Sequence, residues 1–178
     1  MARKILAVLA LLVAGFAVVV ALQPAEFRVE RSATIAAPPE TVFAQVNDFH
    51  SWEAWNPWGK LDPAMQQSYS GAASGTGAGY AWAGDGNVGE GRMTITESRP
   101  PERILIRLEF LKPMAATNTA EFTFAPHDGG TVVTWSMTGR NGFMGKAFGL
   151  FMDMDQMVGG MFEQGLASMK AAVEANAG

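Results

Sequence analysis

The chain contains no cysteine. That rules out disulfides, lipid attachment through a cysteine, a thiol nucleophile and any cysteine-based metal site. Histidine is nearly as scarce: His50 and His127 are the only two, and so placed they form no recognisable metal set. No metal and no cofactor are therefore expected. There is no Gly-x-Ser-x-Gly elbow for a hydrolase serine. Gly84, Gly86, Gly89 and Gly91 are not followed by Lys-Ser/Thr, and the residues after them alternate like a strand. A phosphate loop or a dinucleotide fold needs a helix there. Charge is also low, at 17% of residues, where a soluble domain usually has about a quarter. Beyond residue 22 there are 11 basic residues (13 minus Arg3 and Lys4) against 17 acidic, which argues against nucleic acid as a partner.

What is present begins with an apolar run. Residues 5–22, ILAVLALLVAGFAVVVAL, are 18 consecutive apolar residues, long enough to span a bilayer as a helix. Arg3 and Lys4 precede it, which places residues 1–4 in the cytoplasm as a short tail and everything after the span outside. Arg28 and Arg31 at the other end pull against that orientation. The alternative is a signal peptide cleaved near Val19-Val20-Ala21, which would leave a secreted or periplasmic protein. Against it, 18 residues exceed the roughly 7–15 of such apolar cores. Residues 23–26 read as a linker and residues 27–178 as one domain, long enough for a real core.

Phe27, Val29, Arg31, Ala33 and Ile35 share one parity and read as a first strand that Pro38-Pro39 ends. Val42, Phe43 and Val46 follow at helical spacing, and a second short helix takes in Phe49 to Trp55. Six more strands are expected at 64–71, 78–84, 89–98, 102–111, 117–125 and 131–138, with hairpin turns at GDGN (84–87) and HDGG (127–130). In 153–175, Met154, Met157, Val158, Met161, Phe162, Leu166, Met169 and Val173 mark a helical stripe. The fold class is α+β: a curved antiparallel sheet of about seven strands around a long C-terminal helix, with a cavity between them, preceded by a single transmembrane helix.

That order, with IAAPPETVFAQVNDFHSWEAWNPW (35–58), GYAWAGDGNVGEGRMTI (79–95) and MDMDQMVGGMFEQGLASMK (152–170), resembles the SRPBCC or START-like helix-grip superfamily, and within it the polyketide cyclase/dehydrase type. The resemblance covers roughly residues 27–175. It implies the helix-grip fold, but members range from lipid carriers and receptors to cyclases, so function must be argued from the site.

The candidate chemistry is sparse. His50 beside Asp48 and Glu53 has the makings of an acid–base pair, or is a surface histidine with Asp48 as helix N-cap. Glu97 shares the strand parity of Met93 and Ile95, which makes it either a partly buried carboxylate in the cavity or a strand-end glutamate reaching solvent. Trp52, Trp55 and Trp58 fall within seven residues and should close one end of the grip. Six of the eleven methionines fall between 144 and 169, suiting both a core and a surface that adapts to varied ligands. Gly159, Gly160 and Gly165 in the last helix imply close packing or room for a ligand. The expected ligand-binding residues are Trp55, Trp82, Met93, Glu97, Ile106, Leu108, Phe110, Trp135, Met157 and Met161. No catalytic residue is assigned.

Residues 142–152 also read as a short amphipathic helix, with Asn141 as its cap and Phe143, Met144, Phe148, Phe151 and Met152 on one face. The expected function is membrane-anchored binding of a small hydrophobic or amphipathic ligand, with no protein partner identified. The alternatives are a cyclase/aromatase-like enzyme using Glu97, His50 or Tyr80, and an interaction module with a vestigial pocket. The anchor has a direct check. Intact mass of the mature protein from the membrane fraction should include residues 1–22, whereas a soluble protein starting near Leu22 would establish cleavage.

Overall fold

A computed structural model describes residues 1–176; residues 177 and 178, the end of the expected domain, lie outside the described residues. The chain runs α1 (Ala2–Leu22), β1 (Glu26–Ile35), α2 (Pro39–Asn47), two 3-10 turns (Phe49–Ala54 and Trp58–Lys60), then β2 (Gln66–Gly71), β3 (Ala78–Ala83), β4 (Glu90–Arg99), β5 (Arg103–Lys112), β6 (Ala116–His127), β7 (Gly130–Arg140), α3 (Phe143–Gly149) and α4 (Met154–Ala175). The strands form one antiparallel sheet in the order β1-β7-β6-β5-β4-β3-β2. Short connections make β2 to β7 sequential neighbours. Only β1 crosses the sheet, because α2 and the 3-10 turns carry the chain to the far edge. Asp128 and Gly129 both take positive φ, +44° and +78°, giving the two-residue turn that matches strand twist between β6 and β7.

Side-chain alternation sets the two faces of the sheet. Val29 and Ile35 of β1, Met93 and Ile95 of β4, Ile104 and Ile106 of β5, Ala120, Phe122 and Phe124 of β6, and Val133, Trp135 and Met137 of β7 are buried on the concave face. Against them lie Val42, Phe43 and Val46 of α2 and Phe162, Leu166, Met169 and Val173 of α4. Helix α4 packs chiefly on edge strand β1. Arg31 occupies an inward position there, and its Nε donates to Glu163 at 2.7 Å while Nη2 donates to Asp155 at 2.9 Å. Two of the helix glycines now have a reason. A Cβ on Gly159 would lie 2.1 Å from the Arg31 guanidinium, and one on Gly165 would lie 2.9 Å from the Trp135 ring. Both let α4 approach the sheet closely. Gly160 faces open space.

Helix α1 is exposed along almost its whole length, and it is long and apolar enough to cross a membrane. Its 21 residues make about 31 Å at 1.5 Å per residue, close to a hydrocarbon core of roughly 30 Å.

Ion pairs decorate the sheet's outer face and the rim of α4. Arg92, by hydrogen bonding, and Arg107 hold the Glu109 carboxyl below its ordinary range; Arg31 does the same to Asp155. The backbone N–H of Ala36 lowers Glu174 likewise. Groups with depressed folded-state pKa values stabilise the fold above their unfolded values, 4.5 for Glu and 3.8 for Asp, and lose that contribution as pH falls through the folded values. The denaturation midpoint of the protein should therefore be flat from neutral pH down to about 5 and fall below about 4. Glu109→Gln should lower the neutral-pH midpoint and make the acid fall shallower; an unchanged acid limb would remove Glu109 from this account.

Candidate functional site

The tryptophan loop closes one end of the concave face. The last carbonyls of α2 have no intrahelical partner. Trp52 Nε1 donates to Val46 O and Trp55 Nε1 to Gln45 O, each at 3.1 Å. The indoles thus cap α2 while their rings fill the space below it. Trp55 meets Trp135 edge-on at 5.7 Å, and Trp52 reaches Phe122 at 5.9 Å. Trp135 stacks on Phe162 of α4 at 4.1 Å and 11° and lies nearly parallel to Phe122 at 4.9 Å. Trp58 packs edge-on against both Trp135 and Phe162. This half of the concave face is therefore occupied by aromatic rings, and Trp52, Trp55 and Trp135 are core.

The other half is different. Register places Trp82, Gly91, Phe110 and Ala116 side by side across β3 to β6, with Tyr80, Met93, Leu108 and Asn118 in the next row. Trp82, Leu108 and Phe110 remain half-buried, as do Val158 and Met161 on α4, and Met157 is 49% exposed. Met154 and Met157 at the start of α4 are exposed, so the methionine stripe expected to cover the sheet begins in solvent. Gly91 lets the Trp82 ring lie flat over β4, since a Cβ there would sit 2.4 Å from the ring. The Trp82 N–H donates to Val88 O at 3.0 Å. The outcome is a row of half-buried apolar side chains at the end of the sheet where β1 starts and β7 finishes.

The ten expected residues divide accordingly. Trp55, Met93, Ile106 and Trp135 lie in the core; Trp82, Leu108, Phe110 and Met161 are half-buried; Met157 is exposed. The face expected for Glu97 is corrected. The pairing of β4 with β5 shifts between Ile95 and Glu97, leaving Thr96 as an extra residue whose hydroxyl donates to Leu105 O at 3.3 Å. This bulge reverses parity. Ser98 now points inward, bonded to Asn47 at 2.7 Å, and Glu97 points outward between Arg99 at 2.8 Å and Arg103 at 3.7 Å.

The other polar candidates are equally dispersed. Asp48 caps the first 3-10 turn by accepting from His50 N, and its carboxylate also meets His50 Nδ1 at 2.8 Å on the surface. Tyr80 is buried, and that burial pushes its hydroxyl pKa up to about 12. Tyr69 lies between them, stacked on His50 at 4.0 Å and tilted against Tyr80 at 5.5 Å. Glu97, His50 and Tyr80 do not converge. Among the described residues no cluster of His, Asp or Glu fit to hold a metal ion is formed.

Sequence reasoning missed Asn118. It shares the inward parity of Ala120, Phe122 and Phe124, and that break in an apolar row was the available signal. Asn118 is 8% exposed, and its amide donates only to the Met137 thioether at 3.7 Å, a weak acceptor. The buried Trp135 N–H has no partner among the described residues. Under-partnered buried polar groups cost about 1–3 kcal/mol each, so they stand out against the apolar lining. A shallow outer depression of about 610 Å³ adjoins Asn118 and Arg140.

Residues 26–174 match the family model described as polyketide cyclase/dehydrase and lipid transport. No curated protein matches the chain by sequence. Solved structures do. A Chromobacterium violaceum protein is 18% identical over 85% of this chain and 99% of its own, with a TM-score of 0.59. The Aha1 dimer from Colwellia psychrerythraea is 15% identical over 85% and 99%, with a TM-score of 0.60. The KanY protein is 16% identical over 84% and 98%, with a TM-score of 0.62. These likenesses establish the shared fold.

The division between filled and outer positions is measurable. Trp55→Phe removes a buried ring edge and leaves the Gln45 carbonyl unpaired, and should cost about 2–4 kcal/mol by denaturant titration. Glu97→Gln, on the outer face, should cost less than about 1 kcal/mol. Comparable losses would return Glu97 to the interior.

Proposed function

The chain belongs to the polyketide cyclase/dehydrase and lipid transport family, and we propose that it is a membrane-tethered protein that holds a small hydrophobic or amphipathic molecule without transforming it. The observation that carries this reading is the row of half-buried Trp82, Leu108 and Phe110, with Met161 on α4 and the under-partnered Asn118 amide in the next row, which we read as the walls and base of an apolar groove. Apolar walls supply affinity through burial, and a single under-partnered amide orients a ligand that has one polar group. An amphiphile of this kind satisfies Asn118 and covers the half-buried rings together. Helix α1 serves as the tether, with the domain on the outer side of the membrane, where residues 23–26 keep it within about 14 Å of the span.

Two alternatives remain distinct. A cyclase-like enzyme needs polar groups that meet, and Glu97, His50 and Tyr80 face three different surroundings. The aromatic filling of the inner half favours, as the second reading, an interaction module with a vestigial pocket. Native mass spectrometry of the full chain extracted from its own membrane separates them. Wild type should retain a small molecule. Leu108→Trp should lose most of it while overpacking costs only about 1–3 kcal/mol of stability. Asn118→Leu should lose it with stability unchanged or raised, since an apolar isostere relieves the under-partnered amide. Wild type that carries nothing would favour the interaction module, and a chemically altered ligand would favour an enzyme.

A further inference from the structure

The segment between β7 and α4 differs from the sequence expectation in one respect and agrees in another. Gly142, not Asn141, occupies the N-cap of α3, and no side chain caps it. The apolar face is real, and it is bare. Phe143, Met144, Phe148, Phe151 and Met152 are all exposed, Phe151 by 78%. Five large apolar side chains within ten residues form a patch of the kind that marks an interaction surface.

Two contacts tie this patch to α1. The Phe151 ring stacks on Phe16 at 6.4 Å. Lys146 Nζ donates to Ala21 O at 3.1 Å, at the C-terminal end of α1, where orphan carbonyls favour a cation. Phe16 precedes Leu22 by six residues, so Phe151 meets α1 about 9 Å in from its end. Lys146 meets it at the end itself. The cation thus stands level with the boundary of the apolar helix, and the phenylalanine reaches below it, the arrangement of an interfacial helix whose lysine snorkels to headgroups. The β5–β6 turn lies at the same end of the sheet, because Phe110 pairs with Ala116 there and Glu26 with Arg140. It exposes Leu111 and Met114, by 52% and 49%.

We infer that residues 143–152, with the β5–β6 turn, are embedded in the same lipid leaflet as the C-terminal end of α1, so that the groove opens onto acyl chains. The occupant of the patch is the bilayer, because its Phe151 ring is stacked on the side of a helix that lipid surrounds. The inference rests on α1 being a retained anchor. It adds a second embedded element and a dry route by which an amphiphile passes from membrane to groove.

The absence of cysteine makes the test clean. Nitroxide labels are placed singly through Phe148→Cys, Phe151→Cys, Leu9→Cys in the span and Gln67→Cys on exposed strand β2, each in the full chain in phosphatidylcholine vesicles. Collision rates with oxygen, which concentrates in lipid, and with a water-soluble nickel chelate are compared. Labels at 148 and 151 should favour oxygen, as at 9 and opposite to 67. Nickel-dominated collisions at 148 and 151 with oxygen dominance at 9 would overturn the embedded segment and leave the anchor standing. Nickel dominance at 9 as well would overturn both. Low collision with either reagent at 151 would mean that protein, not lipid, covers the patch, and would also overturn the proposal.

Discussion

The contact on which the molecule depends is the stack of Trp135 on Phe162. It is the point where sheet, helix and tryptophan loop meet. Trp135 comes from β7 and Phe162 from α4, 27 residues later in the chain (162 minus 135), and Gly165 clears the space that lets the helix close on the ring. Phe122 lies behind Trp135 within the sheet, while Trp52, Trp55 and Trp58 meet it from the loop. Offset and edge-on aromatic pairs each add about 0.5–1.5 kcal/mol beyond burial, and here several share one ring. Removing that ring would detach the helix from the sheet and the loop from both.

That concentration of aromatic volume also decides where a ligand can go. The end of the grip near α2 is filled, and the Trp52 and Trp55 N–H groups are spent on capping the helix. The opposite end keeps the inward parity of the strands with its apolar side chains only half-buried, while α4 is tied to β1 through the Arg31 pairs with Asp155 and Glu163. The polar groups in the inward rows there are the buried Tyr80 hydroxyl and the poorly partnered Asn118 amide.

The open end, the start of β1 and the connection from β7 to α4 coincide because an antiparallel sheet brings the first and last strands together. The linker after α1 is short, so whatever surrounds α1 lies against this end. An apolar groove facing water would hold its ligand against a large aqueous volume. Facing lipid, as proposed, it exchanges with a reservoir already rich in amphiphiles.

Element order, the parity of β1, β5 and β7 and the apolar run of 5–22 were legible in the sequence, because periods of 2 and 3.6 and the length of a span are local properties. So was the tryptophan loop as a closing element, and so was an apolar face after β7. The fate of individual side chains was not. Glu97 shares its parity with Met93 and Ile95 until the bulge at Thr96, and that bulge exists only in the pairing with β5. Asn118 is under-partnered only because its cross-strand neighbours, Leu108 and Gly139, offer it no acceptor. Arg31 finds its carboxylates 124 and 132 residues away. These outcomes depend on which distant residues face each other, a matter of register and helix tilt. The sequence by itself determined what kind of surfaces the chain would make; tertiary packing decided which of them would be filled with the chain's own rings and which left open, since burial is a property of the space between elements and not of any one of them.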